Sequence, residues 1–215
     1  MSITFAIGDI HGSLHKLDDL LARCAQLAGE RPATFVFLGD YIDRGPDSAG
    51  VICRVMDLQS RLPDHVIALK GNHEALLLDV MDDEARLNLW LSQGGLETLR
   101  SYGGDIPDDH IDWLRSLAAS YDDGLRFFVH AGVDPQTPLP EQSERELLWI
   151  REPFLSDTRD YGRLIVHGHT PQPSGHPDLR ENRLNIDTGA VYGGPLTAAV
   201  FSASARAPFA FLQSS

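Results

Sequence analysis

The sequence is poor in cysteine, with only Cys24 and Cys53 among its 215 residues. Both lie in segments whose apolar spacing is typical of helices. We therefore expect two buried, reduced thiols, and nothing in their placement indicates a disulfide framework.

Long apolar runs are also missing. No stretch approaches the eighteen or so apolar residues that a membrane-spanning helix needs. The amino terminus, MSITFAIGDI, has neither a basic segment nor a long apolar run, so it does not resemble a signal peptide. We expect a soluble, cytoplasmic protein that does not bind membranes.

Positive charge is scarce, with 18 Lys and Arg against 31 Asp and Glu, a formal net charge of −13 and a pI near 4.9. Such a chain repels phosphates, which excludes binding to a nucleic-acid backbone through general electrostatics. Bound metal ions could still reverse the local charge and recruit phosphate. At 42% hydrophobic residues, the chain suits a single domain, residues 1–215, with a sizeable core.

The first half of the chain alternates between strand and helix patterns. Strands are predicted at 3–9, 34–40 and 65–71, and helices at 14–27, 48–62 and 73–81, an order that favours parallel strands. Residues 82–120 have a helical pattern interrupted by Gly pairs at 94–95 and 103–104. Its expected core positions are Trp90, Leu91, Leu96, Leu99, Trp113, Leu114 and Leu117.

Strands dominate the second half, at 125–132, 163–170, 183–190, 196–203 and 208–213. The last ones are short and closely spaced, which is typical of antiparallel pairing. A mixed α/β (α+β) fold with a pair of mixed sheets covered by helices fits this order.

Five predicted strands end in residues that can bind metals. The carboxyl ends of strands meet in one crevice, and residues two apart on extended chain point to the same side, as expected for Asp9 with His11 and for His167 with His169. One such strand end would be read as a turn or a packed histidine, but five together predict a metal site. The polar residues at these ends are Asp9, His11, Asp40, Asp43, Arg44, Asn72, His73, His130, His167 and His169.

The ligand types are carboxylate, imidazole and amide, without a thiol. This set disfavours Cu(I) and iron–sulfur chemistry and suits Mn, Fe, Zn or Ni without selecting among them. Six ligands are too many for one catalytic ion with open positions. Two divalent ions that share a bridging Asp, about 3.5–4 Å apart, would accommodate them.

Five motifs carry a family resemblance: GDIHG (8–12), GDYIDRG (39–45), GNHE (71–74), HAG (130–132) and GHTP (168–171). Together they resemble the phosphoprotein phosphatase branch of the calcineurin-like metallophosphoesterases, and in particular bacterial enzymes of the bacteriophage lambda phosphatase type. LWLSQGGLETL, LLWIRE and IDTGAVYGGPLT extend the likeness from about residue 3 to about residue 200. The resemblance implies the calcineurin-like fold, in which two mixed β-sheets pack together and are flanked by helices.

The resemblance also implies the ligands of each ion. The first ion would take Asp9, His11 and Asp40, and the second would take Asp40, Asn72, His130 and His169, with Asp40 as the bridge. Broader metallophosphoesterases carry another His two residues further on, where this chain has Pro171, so the first ion would bind more water. We interpret His167 as a supporting or packing residue.

By the same resemblance, water activated between the ions attacks the phosphate ester directly, without a phosphoenzyme. His73 would protonate the leaving oxygen, Asp43 would orient His73, and Glu74 would support the start of the helix. The substrate would contact Arg44, Asn72, His73, Arg151 and Tyr192. The two arginines suit phosphate because a guanidinium meets two of its oxygens at once.

The resemblance favours a phosphomonoesterase acting on phosphorylated proteins, at Ser, Thr and also Tyr, with Mn the first expectation for the metal. The alternative is a diadenosine tetraphosphate hydrolase, whose nucleoside pocket would have to come from the 82–120 insert and the 134–160 loop. A third interpretation is a metal-stabilised binding module without catalysis.

Overall fold

The computed structural model describes residues 2–215. The chain begins with three strand–helix units, which confirm the predicted alternation. They are β1 (Ile3–Ile7) and α1 (Leu14–Ala28), β2 (Ala33–Phe37) and α2 (Ser48–Arg61), and β3 (Val66–Ala68) and α3 (Asn72–Asp82). The three strands pair in parallel, β1 with β2 and β2 with β3.

A helical segment follows, as the sequence predicts. It contains a single turn at Glu84–Arg86, α4 (Leu87–Trp90), a wide turn at Leu91–Gly95, α5 (Leu96–Tyr102) and α6 (Asp108–Ser116). Helix α4 gives way to α5 at Gly94, where φ is 109° and the helical path is broken.

The strands predicted in the second half are all present but shorter than predicted. In chain order the strands and one helix of this half are β4 (Ser120–Asp122), β5 (Arg126–Val129), α7 (Glu144–Trp149), β6 (Leu164–His167), β7 (Asp178–Leu179), β8 (Arg183–Asn185), β9 (Thr197–Ser202) and β10 (Ala210–Gln213). Single helical turns lie at Leu139–Glu141, Phe154–Ser156 and Ala190–Tyr192. The sequence patterns do not predict β4, β7 or α7.

Two five-stranded mixed sheets result, in the orders β10-β9-β1-β2-β3 and β4-β5-β6-β8-β7. They pack face to face through small and medium apolar side chains such as Ala6, Val36, Phe128 and Val166, and helices cover the outer side of the first sheet. The expected α/β class with two mixed sheets is therefore confirmed. The antiparallel expectation holds for β9 with β10, whereas β8 runs parallel to β6.

The period of two along each strand decides which layer a side chain enters. On β1, Ile3, Phe5 and Ile7 pack against helices, whereas Ala6 faces the second sheet. On β6, Val166 faces the first sheet, so the neighbouring His167 lies on the opposite, outer face.

Two expectations about burial are wrong. Leu96 is 43% exposed, because the break at Gly94 shifts the phase of the helical stripe and Thr98 takes the buried position. Cys53 is exposed, because the buried side of α2 is formed by Val51, Ile52 and Val55. Within residues 2–215, no helix has the length and apolar character to cross a membrane.

Candidate active site

The candidate site lies where β1, β2, β3, β5 and β6 end. Among the described residues, five that are not glycine have positive φ: His11 (45°), Asp40 (52°), Asp43 (72°), Arg44 (67°) and His169 (63°). This conformation costs about 1–3 kcal/mol per residue and concentrates at functional sites. All five are predicted site residues. The sequence pattern predicts that Asp9 and His11 lie on extended chain. This prediction is wrong, because the backbone at His11 is left-handed.

Glu74 holds the turn that carries Asp40. Its carboxylate is fully buried and accepts hydrogen bonds from four backbone N–H groups: Gly71 and Asp40 on Oε2, both at 2.8 Å, and Tyr41 (2.9 Å) and Ile42 (3.3 Å) on Oε1. Burial raises the pKa of Glu74 to about 8, the charge of Asp40 adds to this rise, and the amides oppose it. Glu74 therefore fixes the backbone after β2 as well as the start of α3.

Backbone carbonyls fix the tautomers of two histidines. His11 donates from Nδ1 to the Ile42 carbonyl (2.7 Å), and His130 donates from Nδ1 to the Leu38 carbonyl (2.9 Å). In each neutral ring the lone pair is therefore on Nε2. These lone pairs point into the crevice, where His11 Nε2 lies 3.2 Å from Asp40 Oδ2 and His130 Nε2 lies 3.4 Å from Asp40 Oδ1.

Several acceptors converge without protons between them, which is the arrangement that a cation would relieve. His130 Nε2 lies 2.8 Å from Asn72 Oδ1, and both atoms are acceptors. His169 Nδ1 lies 2.9 Å from Asn72 Oδ1 and 3.2 Å from His130 Nε2, and Asp9 Oδ1 is buried without a hydrogen-bond partner among residues 2–215. Buried polar atoms are normally paired, so these residues fit a metal centre.

The pKa shifts of the site residues also fit a metal centre. Burial, followed by the charges of Asp187 and Asp40, raises the pKa of Asp9 well above its usual range. Burial alone would also raise the pKa of Asp40, but His130, His73 and His11 outweigh it and hold the pKa well below its usual range. Burial, with His130 next, lowers the pKa of His169 to about 2, which keeps its ring neutral and able to bind a metal.

Two compact groups of donor atoms meet at Asp40. His11, Asp40 and His73 form one, and Asp40, His130 and His169 form the other, with donor atoms within 4.8 Å of one another in each. Asp9 is not in the first group, although its Oδ2 accepts a hydrogen bond from the His169 backbone N–H at 3.0 Å. Gly168 allows this approach, because a Cβ there would overlap Asp9 Oδ1.

His73 and Asp43 form a buried pair beside the predicted metal ligands. The ring donates from Nδ1 to Asp43 Oδ2 at 2.7 Å. Trp90 Nε1 donates to the same carboxylate (2.9 Å), and Thr98 Oγ1 donates to Asp43 Oδ1 (2.6 Å). The helical segment after α3 therefore fixes Asp43, and Asp43 fixes the ring of His73.

A cleft of 140 Å³ opens over the ligands and is bordered by Arg44, Arg151 and Tyr192. Arg44 donates from Nη1 to His11 Nε2 at 2.7 Å, and its guanidinium lies 5.8 Å from the centre of the Tyr192 ring. Arg151 Nη2 donates to the His169 carbonyl at 3.4 Å. Both arginines thus lie beside predicted metal ligands, and Tyr192, 62% exposed, lies at the rim.

His167 lies outside this crevice. Its ring packs against Phe154 on the outer face of the second sheet, with centroids 5.0 Å apart, and burial lowers its pKa to about 3. The expectation that His167 and His169 point to the same side is therefore wrong, because the chain leaves β6 after His167 and turns at His169, where φ is 63°. Its interpretation as a packing residue agrees with this position.

Comparison with known proteins gives the family. A family model described as calcineurin-like phosphoesterase matches residues 4–196. The chain belongs to the calcineurin-like phosphoesterase family. The resemblance inferred from the motifs is thereby confirmed.

The relatives of this phosphoesterase are named for two different activities, protein phosphatase and dinucleoside tetraphosphatase. Serine/threonine-protein phosphatase 1 of Salmonella typhimurium is 28% identical over 91% of this chain and 90% of its own length. The symmetrical bis(5'-nucleosyl)-tetraphosphatase of Dechloromonas aromatica is 34% identical over 81% of this chain but only 59% of its own length. A solved structure named provisionally as a diadenosine tetraphosphatase has a TM-score of 0.71 and 26% identity, covering 99% of this chain and 94% of its own.

Sequence reasoning missed three residues of the phosphoesterase site. Trp90 and Thr98 hold Asp43, but the sequence pattern indicates only a core position for Trp90 and no role for Thr98. Asp187 is buried close enough to Asp9 to raise its pKa, and burial raises the pKa of Asp187 itself to about 6. Asp187 lies two residues after the end of β8, as Asp9 lies two residues after β1, so the strand-end pattern also applies to it.

Proposed function

We propose that this phosphoesterase is a phosphomonoesterase that removes phosphate from serine and threonine side chains of proteins, and also from tyrosine. The small size of the cleft is the observation that favours this class of substrate. Its volume of 140 Å³ suits a phosphoryl group on a short side chain, whereas sites for drug-sized ligands have about 300–1,000 Å³. The likeness to a serine/threonine phosphatase over nine-tenths of both chains supports the same choice.

Two divalent cations are proposed as cofactors, held by Asp9, His11 and Asp40 on one side and by Asp40, Asn72, His130 and His169 on the other. When bound, such ions neutralise phosphoryl oxygens and lower the pKa of water to near neutrality. Manganese is the first expectation, with iron, zinc and nickel as alternatives. A cytoplasmic location stays a prediction from the sequence.

Arg44 and Arg151 would bind the phosphoryl oxygens. Both border the cleft beside metal ligands, and a guanidinium can donate two parallel hydrogen bonds to phosphate. Tyr192 limits the position of Arg44, because its ring lies under the guanidinium. Asn72 would contact substrate from the opposite side of the cleft.

His73 would donate the proton that the leaving oxygen needs. Because Nδ1 is engaged by Asp43, only Nε2 can deliver a proton to the crevice. Asp43 holds the ring with Nε2 free to face the crevice, and Trp90 and Thr98 keep the carboxylate in place.

This role of His73 predicts a dependence on the leaving group. His73→Asn should slow hydrolysis of alkyl phosphates by about 10²–10⁴-fold, the usual range for general acid catalysis. Aryl phosphates should lose less, because an aryl oxide leaves with little protonation. Equal losses for phosphoserine peptide and p-nitrophenyl phosphate would contradict the role of His73 as acid.

A second candidate is hydrolysis of dinucleoside tetraphosphates, favoured by the likeness to the Dechloromonas aromatica enzyme and, over more than nine-tenths of both chains, to the solved structure named as a diadenosine tetraphosphatase. The helices α4–α7 would then have to bind the nucleosides. The deciding experiment compares phosphate release from a phosphoserine peptide with ADP release from diadenosine tetraphosphate, using protein loaded with Mn²⁺. A kcat/KM at least about tenfold higher for the nucleotide would overturn the protein-phosphatase proposal. No turnover of either substrate with Mn, Fe, Zn or Ni would favour the non-catalytic binding module.

A further inference from the structure

The kink between α4 and α5 lies directly against the backbone of Arg44. At Gly94 the carbonyl accepts a hydrogen bond from the Arg44 backbone N–H at 3.1 Å. A Cβ added to Gly94 would lie 2.7 Å from both the backbone N and the Cγ of Arg44, and 3.1 Å from its Cα. Real Cβ atoms do not make such contacts, so any other residue at 94 would displace Arg44.

We propose that Gly94 is a positioning residue, which sets the place of the Arg44 guanidinium in the cleft. This inference rests on the proposed role of Arg44 in binding phosphate. Gly94 acts through Arg44 and does not itself touch substrate.

The backbone of both residues supports this assignment. Gly94 has φ of 109° and Arg44 has φ of 67°, and both values lie in the region where a side chain is strained. A turn that only glycine adopts without strain and a strained arginine therefore meet at a single backbone hydrogen bond. The same kinked segment also holds Asp43, through Trp90 on one side of Gly94 and Thr98 on the other.

A shift of the Arg44 backbone would also move its guanidinium. The guanidinium lies beside His11 and 5.8 Å from the centre of the Tyr192 ring, at the border of the cleft, so its place depends on where the Arg44 backbone lies. A backbone shift of about 1 Å is enough to break a hydrogen bond from this guanidinium to phosphate. A displaced Arg44 would lose its phosphate contacts while the metal ligands stayed in place.

The chain offers a matched control at Gly104. This glycine also has φ of 109°, but an added Cβ there would meet nothing within 4 Å among the residues that the structure describes. Gly104→Ala therefore places alanine at the same strained φ without a clash. Gly94→Ala introduces the strain together with the displacement of Arg44.

The experiment compares wild type, Gly94→Ala, Gly104→Ala, Arg44→Ala and the Arg44→Ala/Gly94→Ala double variant, each as the full chain loaded with Mn²⁺. Orthophosphate affinity is measured by isothermal titration calorimetry, KM and kcat with p-nitrophenyl phosphate, and stability by thermal unfolding. Gly94→Ala should weaken orthophosphate binding and raise KM by about tenfold or more relative to Gly104→Ala, as expected for a charge-assisted hydrogen bond.

The double variant separates positioning from a general structural role. If Gly94 acts through Arg44, adding Gly94→Ala to Arg44→Ala should change orthophosphate affinity by less than about twofold. Equal effects of Gly94→Ala in both backgrounds would overturn the proposal. So would equal affinities of Gly94→Ala and Gly104→Ala, or a Gly94→Ala chain that fails to fold while Gly104→Ala folds.

Failure of the underlying function gives a different result. If Arg44→Ala leaves orthophosphate affinity and KM unchanged, the proposed role of Arg44 is wrong, and the positioning proposal is overturned with it. If wild type binds orthophosphate but hydrolyses no phosphomonoester, the proposed function fails, and the orthophosphate affinities still decide the role of Gly94.

Discussion

Replacing Glu74 by glutamine is expected to remove the support of the Asp40 turn while keeping the shape of the side chain. Each carboxylate oxygen of Glu74 accepts two backbone N–H groups: Oε2 from Gly71 and Asp40, and Oε1 from Tyr41 and Ile42. Glutamine has one oxygen and one NH₂ group. Whichever way the amide is turned, two buried N–H donors then face another donor.

The size of the effect follows from these contacts. A buried donor that is left without a partner costs about 1–3 kcal/mol. Two such donors should lower the free energy of unfolding by about 2–6 kcal/mol. This is a large fraction of the roughly 5–15 kcal/mol that stabilises a typical domain. The turn that carries Asp40 should loosen, so metal affinity should fall as well.

Urea unfolding at pH 7 with chelator present measures the stability, and calorimetric titration with Mn²⁺ measures the metal affinity. Glu84→Gln is the matched control, because Glu84 is exposed and its loss should change stability by less than about 0.5 kcal/mol. A Glu74→Gln protein that loses less than about 1 kcal/mol would refute the reasoning, because the four amides would then have other partners.

Three further predictions concern residues around the site. Thr98→Val should lower stability by about 1–3 kcal/mol in urea unfolding, because Asp43 loses its 2.6 Å donor, and Thr98→Ser should retain most of it; equal losses would contradict this reason. In metal-free protein, the unfolded chain takes up a proton on His167 near pH 6.5, whereas burial lowers the pKa of the folded state to about 3. The contribution of His167 to the free energy of unfolding is therefore fully present above pH 6.5. It falls by about 2 kcal/mol between pH 7 and pH 5. The free energy of unfolding of His167→Leu should therefore fall by about 2 kcal/mol less than that of the wild type between pH 7 and pH 5. An unchanged pH dependence would refute the buried, neutral state of His167. Finally, burial raises the pKa of Cys24 to about 12 and Cys53 is exposed, so a thiol reagent should label one cysteine per native chain and two in denaturant.

Much of the fold could be predicted because burial imposes a simple pattern. The apolar runs of β1, β2 and β3 and the stripes of α1 and α2 report burial directly, and their order implies parallel pairing. The direction of β8 could not be predicted in this way, because a strand of three residues pairs according to the shape of the whole sheet. The exposure of Leu96 depends on the break at Gly94, whose angle no periodicity reports.

In the site, too, some features could be predicted from the sequence and others could not. Asp40, Asn72 and His130 follow strand ends, so their convergence could be expected from sheet geometry alone. The opposite directions of His167 and His169 could not, because they depend on a left-handed turn at a residue that is not glycine. Likewise, Thr98 reaches Asp43 across 55 positions of sequence, a contact that only the packed helices create.

The central claim is that one carboxylate, Asp40, is shared by two metal ions. Anomalous diffraction from crystals of the full chain soaked in Mn²⁺ tests it most directly. We predict two anomalous peaks about 3.5–4 Å apart, with the carboxylate of Asp40 in contact with both. A single peak, or two peaks of which neither contacts Asp40, would contradict the account.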